Sequence, residues 1–224
     1  VAKGYEYRPV MKTVEVKAGE TVAVDISLDR TLDMATRGWY SGDPHIHLDR
    51  KNDAETSSAL DLIEAEDIRF GFLLAMNDPS TYTGTMETQT WPQDMGMGRA
   101  SMASRGIYTL SSGQEYRSDA YGHILLLLID RLVFPGKSLD PNDWPLFDEV
   151  VRDTHDASGV ALHAHGGYWD EIFADYVHGA GDAIEILQFA VYRGIGLEGW
   201  YHILNAGYRL PKVGASDYPY CRAL

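Results

Sequence analysis

The residues best suited to chemistry are two imidazoles set two positions apart, His45 and His47, in the stretch Gly42-Asp43-Pro44-His45-Ile46-His47. On a strand, residues two apart project from the same face. Such a pair can hold one Zn²⁺, Mn²⁺ or Fe²⁺ from one side. A His-x-His pair by itself is more often two strand-end residues bonded to backbone, so the decision rests on further donors. Glu115 closes the run Gly106 to Glu115, and His123 precedes an apolar run. His163 and His165 flank Ala164, and Asp217 follows Gly214-Ala215-Ser216. Singly, each is an ordinary strand-end or turn residue. Together they fall at ends of successive expected strands, and all but His123 lie at the carboxyl ends, the face that carries the chemistry in parallel α/β barrels. The pattern leaves open whether His163 or His165 is the ligand. It supplies more donors than one tetrahedral site uses, so the expected count is two or three ions with Glu115 as a bridge. Asp43 or Asp49 is placed to orient a bound imidazole. His155, His178 and His202 fall in or at the ends of expected helices and read as structural.

Composition narrows the classes. The chain has 224 residues, 45% hydrophobic and 23% charged, the mixture of a folded domain with a real core. A formal net charge of −14 argues against nucleic acid or an anionic membrane surface as partner, because both call for Lys and Arg. A single cysteine, Cys221, excludes an intrachain disulfide and a cysteine-based zinc site, which leaves His, Asp and Glu as ligands. No run of about 18 apolar residues is present to span a membrane. A chain that begins at Val1 without methionine is compatible with an export signal removed upstream, so the compartment stays open.

The elements that must position these residues follow from periodicity. Thr13 to Val16 and Thr21 to Leu28 alternate around Ala18-Gly19-Glu20, which predicts a hairpin within residues 1–36, the remnant of a larger β module. Residues 37–224 then form the main domain. Asp53 onward predicts a helix, and Arg69 to Met76 a buried strand, giving the strand–helix–strand unit of a parallel sheet. From Asn77 to Arg105 apolar periodicity is weak, which predicts a long lid or substrate-facing loop. Strands follow over Gly106 to Glu115, Ile124 to Leu128, Gly159 to Leu162, Asp182 to Phe189 and Arg209 to Gly214. Helices fall over Pro145 to Ser158, Trp169 to His178 and Gly196 to Ala206. Gly166-Gly167 makes a sharp turn behind His165 and lacks the spacing of a phosphate loop.

Four separate motifs occur in order: Gly38-Trp39-Tyr40-Ser41-Gly42-Asp43-Pro44-His45-Ile46-His47; Gly113-Gln114-Glu115-Tyr116 with Tyr121-Gly122-His123; Ala164-His165-Gly166; and Asn205 to Pro211 with Gly214-Ala215-Ser216-Asp217. Together they resemble the CehA/McbA branch of PHP-like metal-dependent hydrolases, over about Gly38 to Asp217. The resemblance implies a distorted (β/α)7 barrel of PHP type whose rim holds two or three divalent ions. By matching position it implies His45 and His47 as first ligands, Glu115 as bridging carboxylate, His123 as the next histidine and Asp217 as the last aspartate. His165 matches an Ala-His-Pro-Gly histidine with Gly in place of Pro, and His163 has no counterpart. Met76-Asn77-Asp78 departs from the Thr-Asp-His motif of wider PHP phosphoesterases, which makes two ions the firmer count. Family members continue beyond the last aspartate, which implies that the chain is a fragment.

The expected chemistry is hydrolysis of a small ester-type substrate, in which a metal-bridging hydroxide attacks the ester centre and Asp217 or a histidine such as His165 moves the proton. Carbamate or carboxyl esters and phosphoesters are both implied. A phosphoester calls for a guanidinium or ammonium, and Arg50, Arg117, Arg193 and Arg222 are available. The alternative is a non-catalytic metal-binding module that displays sugar or peptide contacts through Trp91, Trp169 and Tyr218.

Overall fold

The structure is a computed structural model, and it describes residues 1–76, 93–118, 121–133, 146–169, 172–188 and 196–219. Its centre is a mixed sheet bent into a nearly closed barrel. The strands are β1 (Gly42–Ile46), β2 (Phe70–Met76), β3 (Gly98–Arg105), β4 (Tyr108–Ser118), β5 (Gly122–Leu127), β6 (Val160–His163), β7 (Ala183–Leu187) and β8 (Lys212–Gly214). Hydrogen bonding orders them β1-β2-β4-β5-β6-β7-β8, with β3 attached to β4. Helices α1 (Asp53–Ala65), α2 (Phe147–Asp156), α3 (Ile172–Val177) and α4 (Leu197–Asn205) cover the outside.

Local signals account for the best-defined helices. Asn52 caps α1 by accepting a hydrogen bond from the Glu55 amide, and the Glu55 carboxylate reaches back to the Lys51 amide at 2.6 Å. The first bond satisfies an amide that the first turn leaves without a helical partner, and the second ties down the residue before the cap. Thr56, Ala59, Leu60 and Ile63 then recur at helical spacing and bury one stripe of α1 against Ile46, Leu73 and Leu110. In α2 the stripe is Phe147, Val150, Val151 and Thr154, packed on Tyr116, Ile124 and Leu126.

Side-chain alternation separates the two faces of the sheet. Leu74, Leu125, Leu127, Leu162 and Ala183 form a cluster of their own inside the barrel, whereas Tyr116, Ile124 and Leu126 face α2. On this register Glu115 and Arg117 point inward, between outward-facing Gln114, Tyr116 and Ser118.

Strand direction departs from a purely parallel expectation. The β1–β2, β2–β4, β6–β7 and β7–β8 pairs are parallel, but β5 runs antiparallel to both neighbours and β3 runs antiparallel to β4. A continuous apolar run such as Ile124 to Leu127 carries no mark of direction, so the sense of β5 is read only from its antiparallel pairing with β4 and β6. The reversal matters for function: the start of β5, where His123 sits, lies at the same rim as the ends of the parallel strands.

Two further expectations are corrected. Residues 11–29 form no strand ladder, and Val14, Val16 and Val22 are exposed. The alternating segments have no sheet to bury a face against, and two strands alone are marginal in water. What holds this segment is Arg30, which pairs with Glu6 and with Asp67 (2.6 Å) and bonds the Tyr7 hydroxyl, alongside an isolated Tyr7–Arg30 bridge. The expected loop from Asn77 to Arg105 gives way to strand β3 from Gly98, and positions 77–92 lie outside the described residues.

The barrel closes between β8 and β1 by different means. Asp43 accepts hydrogen bonds from the amide (3.1 Å) and hydroxyl of Ser216, the His47 amide donates to the Tyr218 carbonyl at 2.6 Å, and Ile46 and Tyr218 form a parallel bridge. Among the described residues, no helix is long and apolar enough to cross a membrane.

Candidate metal centre

His45 and His47 leave β1 on one face, and their Nε2 atoms approach to 3.0 Å inside the barrel mouth. β4 delivers Glu115 beneath them: Oε2 lies 3.3 Å from His47 Nε2, and Oε1 lies 3.6 Å from His45 Nε2. The start of β5 brings His123 Nδ1 to 3.0 Å from Glu115 Oε1. From the far end of the chain Asp217 Oδ1 reaches His47 Nε2 at 3.2 Å and His45 Nε2 at 3.4 Å. His165 Nε2 stands 3.5 Å from Asp217 Oδ2 and 3.7 Å from Glu115 Oε1. All of these except His123 are buried. Donor atoms of two triads, His45/Glu115/His165 and His45/His47/Asp217, lie within 4.8 Å of one another, close enough to grip an ion.

The backbone is bent to achieve this. His165 has φ 53° and Asp217 has φ 54°, in the left-handed region that side-chain-bearing residues seldom occupy. Such strain concentrates where a fold must aim a functional side chain. Gly166 follows with φ 64°, a conformation proline cannot take. Glycine at position 166 is therefore what the local turn requires.

His163 is the residue the structure removes from the expected set. With Leu162 facing into the barrel, alternation sends His163 outward, where it is stacked between Phe147 and Tyr176 with Nε2 at 3.3 Å from both the Ala180 carbonyl and Asp175. Burial, which outweighs the raising effect of the Ala180 carbonyl, pushes its pKa down to about 4. His165 is the member of the pair that joins the centre.

Asp43 does not orient a histidine ring. It takes the His45 amide at 3.1 Å and ties β1 to Ser216. Asp49 is paired with Lys51 in solvent. The orienting role falls to Glu185, which sequence reasoning missed: its oxygens lie 3.0 and 3.3 Å from His45 Nδ1, and Oε2 also accepts the His165 amide at 2.8 Å. The signal was available, because Glu185 is a carboxylate between isoleucines in a strand expected to be buried. Gln188 also reaches His45 Nδ1 at 3.0 Å. Since Nδ1 donates to Glu185, the amide satisfies it only with its carbonyl turned to the ring.

His155 and His202 are exposed and lie away from the centre, His155 paired with Asp182 at 2.9 Å; His178 follows directly on α3, its amide donating to the Ala174 carbonyl. Trp91, Arg193, Arg222 and Cys221 lie outside the described residues. Tyr218 bridges Ile46 and packs against the cluster that includes it. Arg50 is buried against the hydroxyls of Thr56 (3.0 Å) and Ser112 (3.2 Å) on the outer side of the sheet. Arg117 instead stands at the centre, with Nε 3.1 Å from His123 Nε2 and 3.9 Å from Glu115 Oε2.

The electrostatics ask for a cation. Burial alone would depress the His45 imidazole, but the charges of Glu185, Glu115 and Asp217 overcome it and raise its pKa to about 10. Burial alone would raise the Glu115 carboxyl, yet hydrogen bonds from His123 and His47 hold it well below its usual range. The same contest brings Asp217 down to about 2, through His165 and His47. Carboxylates kept ionised in a dry pocket, with imidazoles facing them, form a donor set that fits a borderline divalent metal such as Zn, Mn or Fe. Neither a family model nor a curated protein matches the chain in sequence.

Proposed function

We propose that this chain is a divalent-metal-dependent hydrolase of the PHP-like CehA/McbA kind, which cleaves an ester-type bond at a centre of two ions. The observation that carries the reading is the convergence of His45, His47, Glu115, His165 and Asp217, drawn from strand ends along the whole domain, into one buried cluster at the barrel rim. A donor set that shares carboxylates between imidazoles supports more than one ion: Glu115 turns one oxygen to His47 and the other to His123, while Asp217 gives Oδ1 to both His45 and His47.

Bound there, the ions would supply Lewis acidity and bring a water to reactive pKa near neutrality. The chain's own residues do the rest. His45, His47, Glu115, His123, His165 and Asp217 would hold the ions, and Glu185 fixes the proton of His45 on Nδ1 so that Nε2 faces the centre. Asp217 Oδ2, beside His165 Nε2, is the carboxylate oxygen that would receive and return a proton at the rim. No side-chain nucleophile is required.

The test is metal analysis of the purified protein together with hydrolysis of p-nitrophenyl acetate and p-nitrophenyl phosphate, with Glu115→Gln and His45→Ala beside wild type. Metal bound at one or two equivalents and loss of turnover in both variants is the expected result. Metal at trace level, or variants as active as wild type, overturns the reading. Stoichiometric metal without turnover of either ester favours a non-catalytic metal-binding module.

A further inference from the structure

Arg50 is a guanidinium buried without a counter-charge. It is 2% exposed, and its bonds run to hydroxyls: Nε donates to Thr56 Oγ1 at 3.0 Å, and one terminal nitrogen donates to Ser112 Oγ at 3.2 Å. Arg30, Arg105, Arg117 and Arg131 each have a carboxylate within ion-pair distance, whereas among the described residues Arg50 has none. Taking a cation out of water with no anion to meet it is unfavourable, and neutral hydroxyls offset only part of the loss. A fold that keeps such a group against its own stability does so where the group fixes a functional position.

That position is the end of β1 relative to β4. Arg50 stands three residues beyond His47, and Ser112 stands three before Glu115. β2 lies between β1 and β4, with Ile46 level with Leu73 and Leu73 level with Ser112, so the Arg50 side chain crosses a whole strand on the outer face of the sheet. The crossing matters because the β1–β2 ladder is irregular between Asp43 and Ile46 and ends there. His45 falls within that irregularity and His47 lies past its end, so pairing with β2 does not set their height against Glu115. Arg50 supplies the tie on the β2 side, as Tyr218 supplies one on the β8 side. We propose that Arg50 is a positioning residue for the centre: by clamping the loop after His47 to Ser112 and Thr56, it holds the two β1 imidazoles in register with Glu115. This rests on the reading of the cluster as a metal centre. The guanidinium acts through the backbone of the β1–α1 loop, from outside the barrel.

The experiment compares wild type, Arg50→Met, Ser112→Ala and the double variant. It measures Zn²⁺ and Co²⁺ affinity by competition with a chelating dye, the visible spectrum of bound Co²⁺, and urea unfolding of the metal-free protein. Arg50→Met keeps an apolar stem in place and removes the uncompensated charge, so the metal-free variant is expected to resist urea as well as wild type or better. Its metal affinity should nonetheless fall about tenfold, and its Co²⁺ bands should shift as His47 moves against Glu115. Ser112→Ala should weaken metal binding in the same sense, and the double variant should bind no more weakly than Arg50→Met, because both changes undo one clamp. Metal affinity and a Co²⁺ spectrum equal to wild type in Arg50→Met overturn the proposal and leave Arg50 a support for α1. Losses that add in the double variant also overturn it, since the two residues would then act separately. If Arg50→Met does not fold, Ser112→Ala decides, and wild-type metal affinity there overturns the proposal. A wild type that takes up no metal overturns the metal-centre reading itself and this inference with it.

Discussion

Glu185 and His45 are 140 positions apart, yet the carboxylate lies 3.0 Å from the imidazole Nδ1, with neither side chain exposed to solvent. Because the same carboxylate accepts the His165 amide, one side chain on β7 aims two donors of the centre. Groups that orient metal-bound imidazoles are worth roughly 10- to 100-fold in metal affinity. Glu185→Ala is therefore expected to weaken Zn²⁺ or Mn²⁺ binding by about that factor, measured by competition with a chelating dye. Glu185→Gln, which still offers a carbonyl to Nδ1, should lose less.

The two histidines around Ala164 should separate cleanly. His165→Ala removes a donor from the centre and is expected to lower bound metal, read by elemental analysis. His163→Ala should keep its metal but unfold more easily, by roughly 1–3 kcal/mol in urea, because it leaves a gap between Phe147 and Tyr176. The opposite pattern would reverse the assignment.

His163 should also give stability a pH slope. Its pKa falls from an ordinary 6.5 to about 4 in the folded chain, so between those values the unfolded chain takes up a proton that the folded chain refuses. Stability from this site is complete above pH 6.5 and drains away as pH drops toward 4, by up to about 3 kcal/mol. Urea unfolding of wild type and His163→Leu across pH 4 to 7 is the measurement. The difference between them should change in favour of His163→Leu as pH falls, and a constant difference would refute the assignment of this histidine as buried and neutral.

Gly166 tolerates no side chain. At φ 64° a Cβ is strained, and it would sit 2.0 Å from Gly196 Cα, a backbone atom that cannot rotate away. Gly166→Ala is expected to cost more than about 2 kcal/mol, seen as a lower urea midpoint, and to displace His165 enough to reduce bound metal. Gly179→Ala, also at positive φ but with nothing near its Cβ, should show only the milder backbone penalty.

Much of the fold was legible from periodicity. α1 and α2 carry apolar stripes at helical spacing, and β2 and β5 are apolar runs, so their places follow from burial alone. β3 escaped notice because Gly98 to Arg105 is rich in Ser and Arg and buries few positions. The hairpin expected in the first 36 residues failed for the converse reason: alternation is necessary for a half-buried strand, but something must cover its apolar face. The direction of β5 depends on pairing, which a run of leucines does not encode. Within the centre, His45, His47, Glu115, His123, His165 and Asp217 were found because each ends or begins an element. Glu185 sits in the middle of β7, where position offers no such hint. His163 misled by adjacency to the strand end, although the inward facing of Leu162 fixes its direction once the barrel is known.

The junction of β1 and β8 has one more implication. Everywhere else the barrel wall is stitched by backbone ladders, but here it is a seam held by Ser216, Asp43 and the contacts around Tyr218. His45 and His47 stand on one lip of that seam and Asp217 on the other. An ion gripped by all three would act as a rivet across it, joining the first strand to the last. Metal affinity and the cohesion of the whole cylinder would then be one thermodynamic quantity, and the melting temperature would climb with the logarithm of free metal concentration.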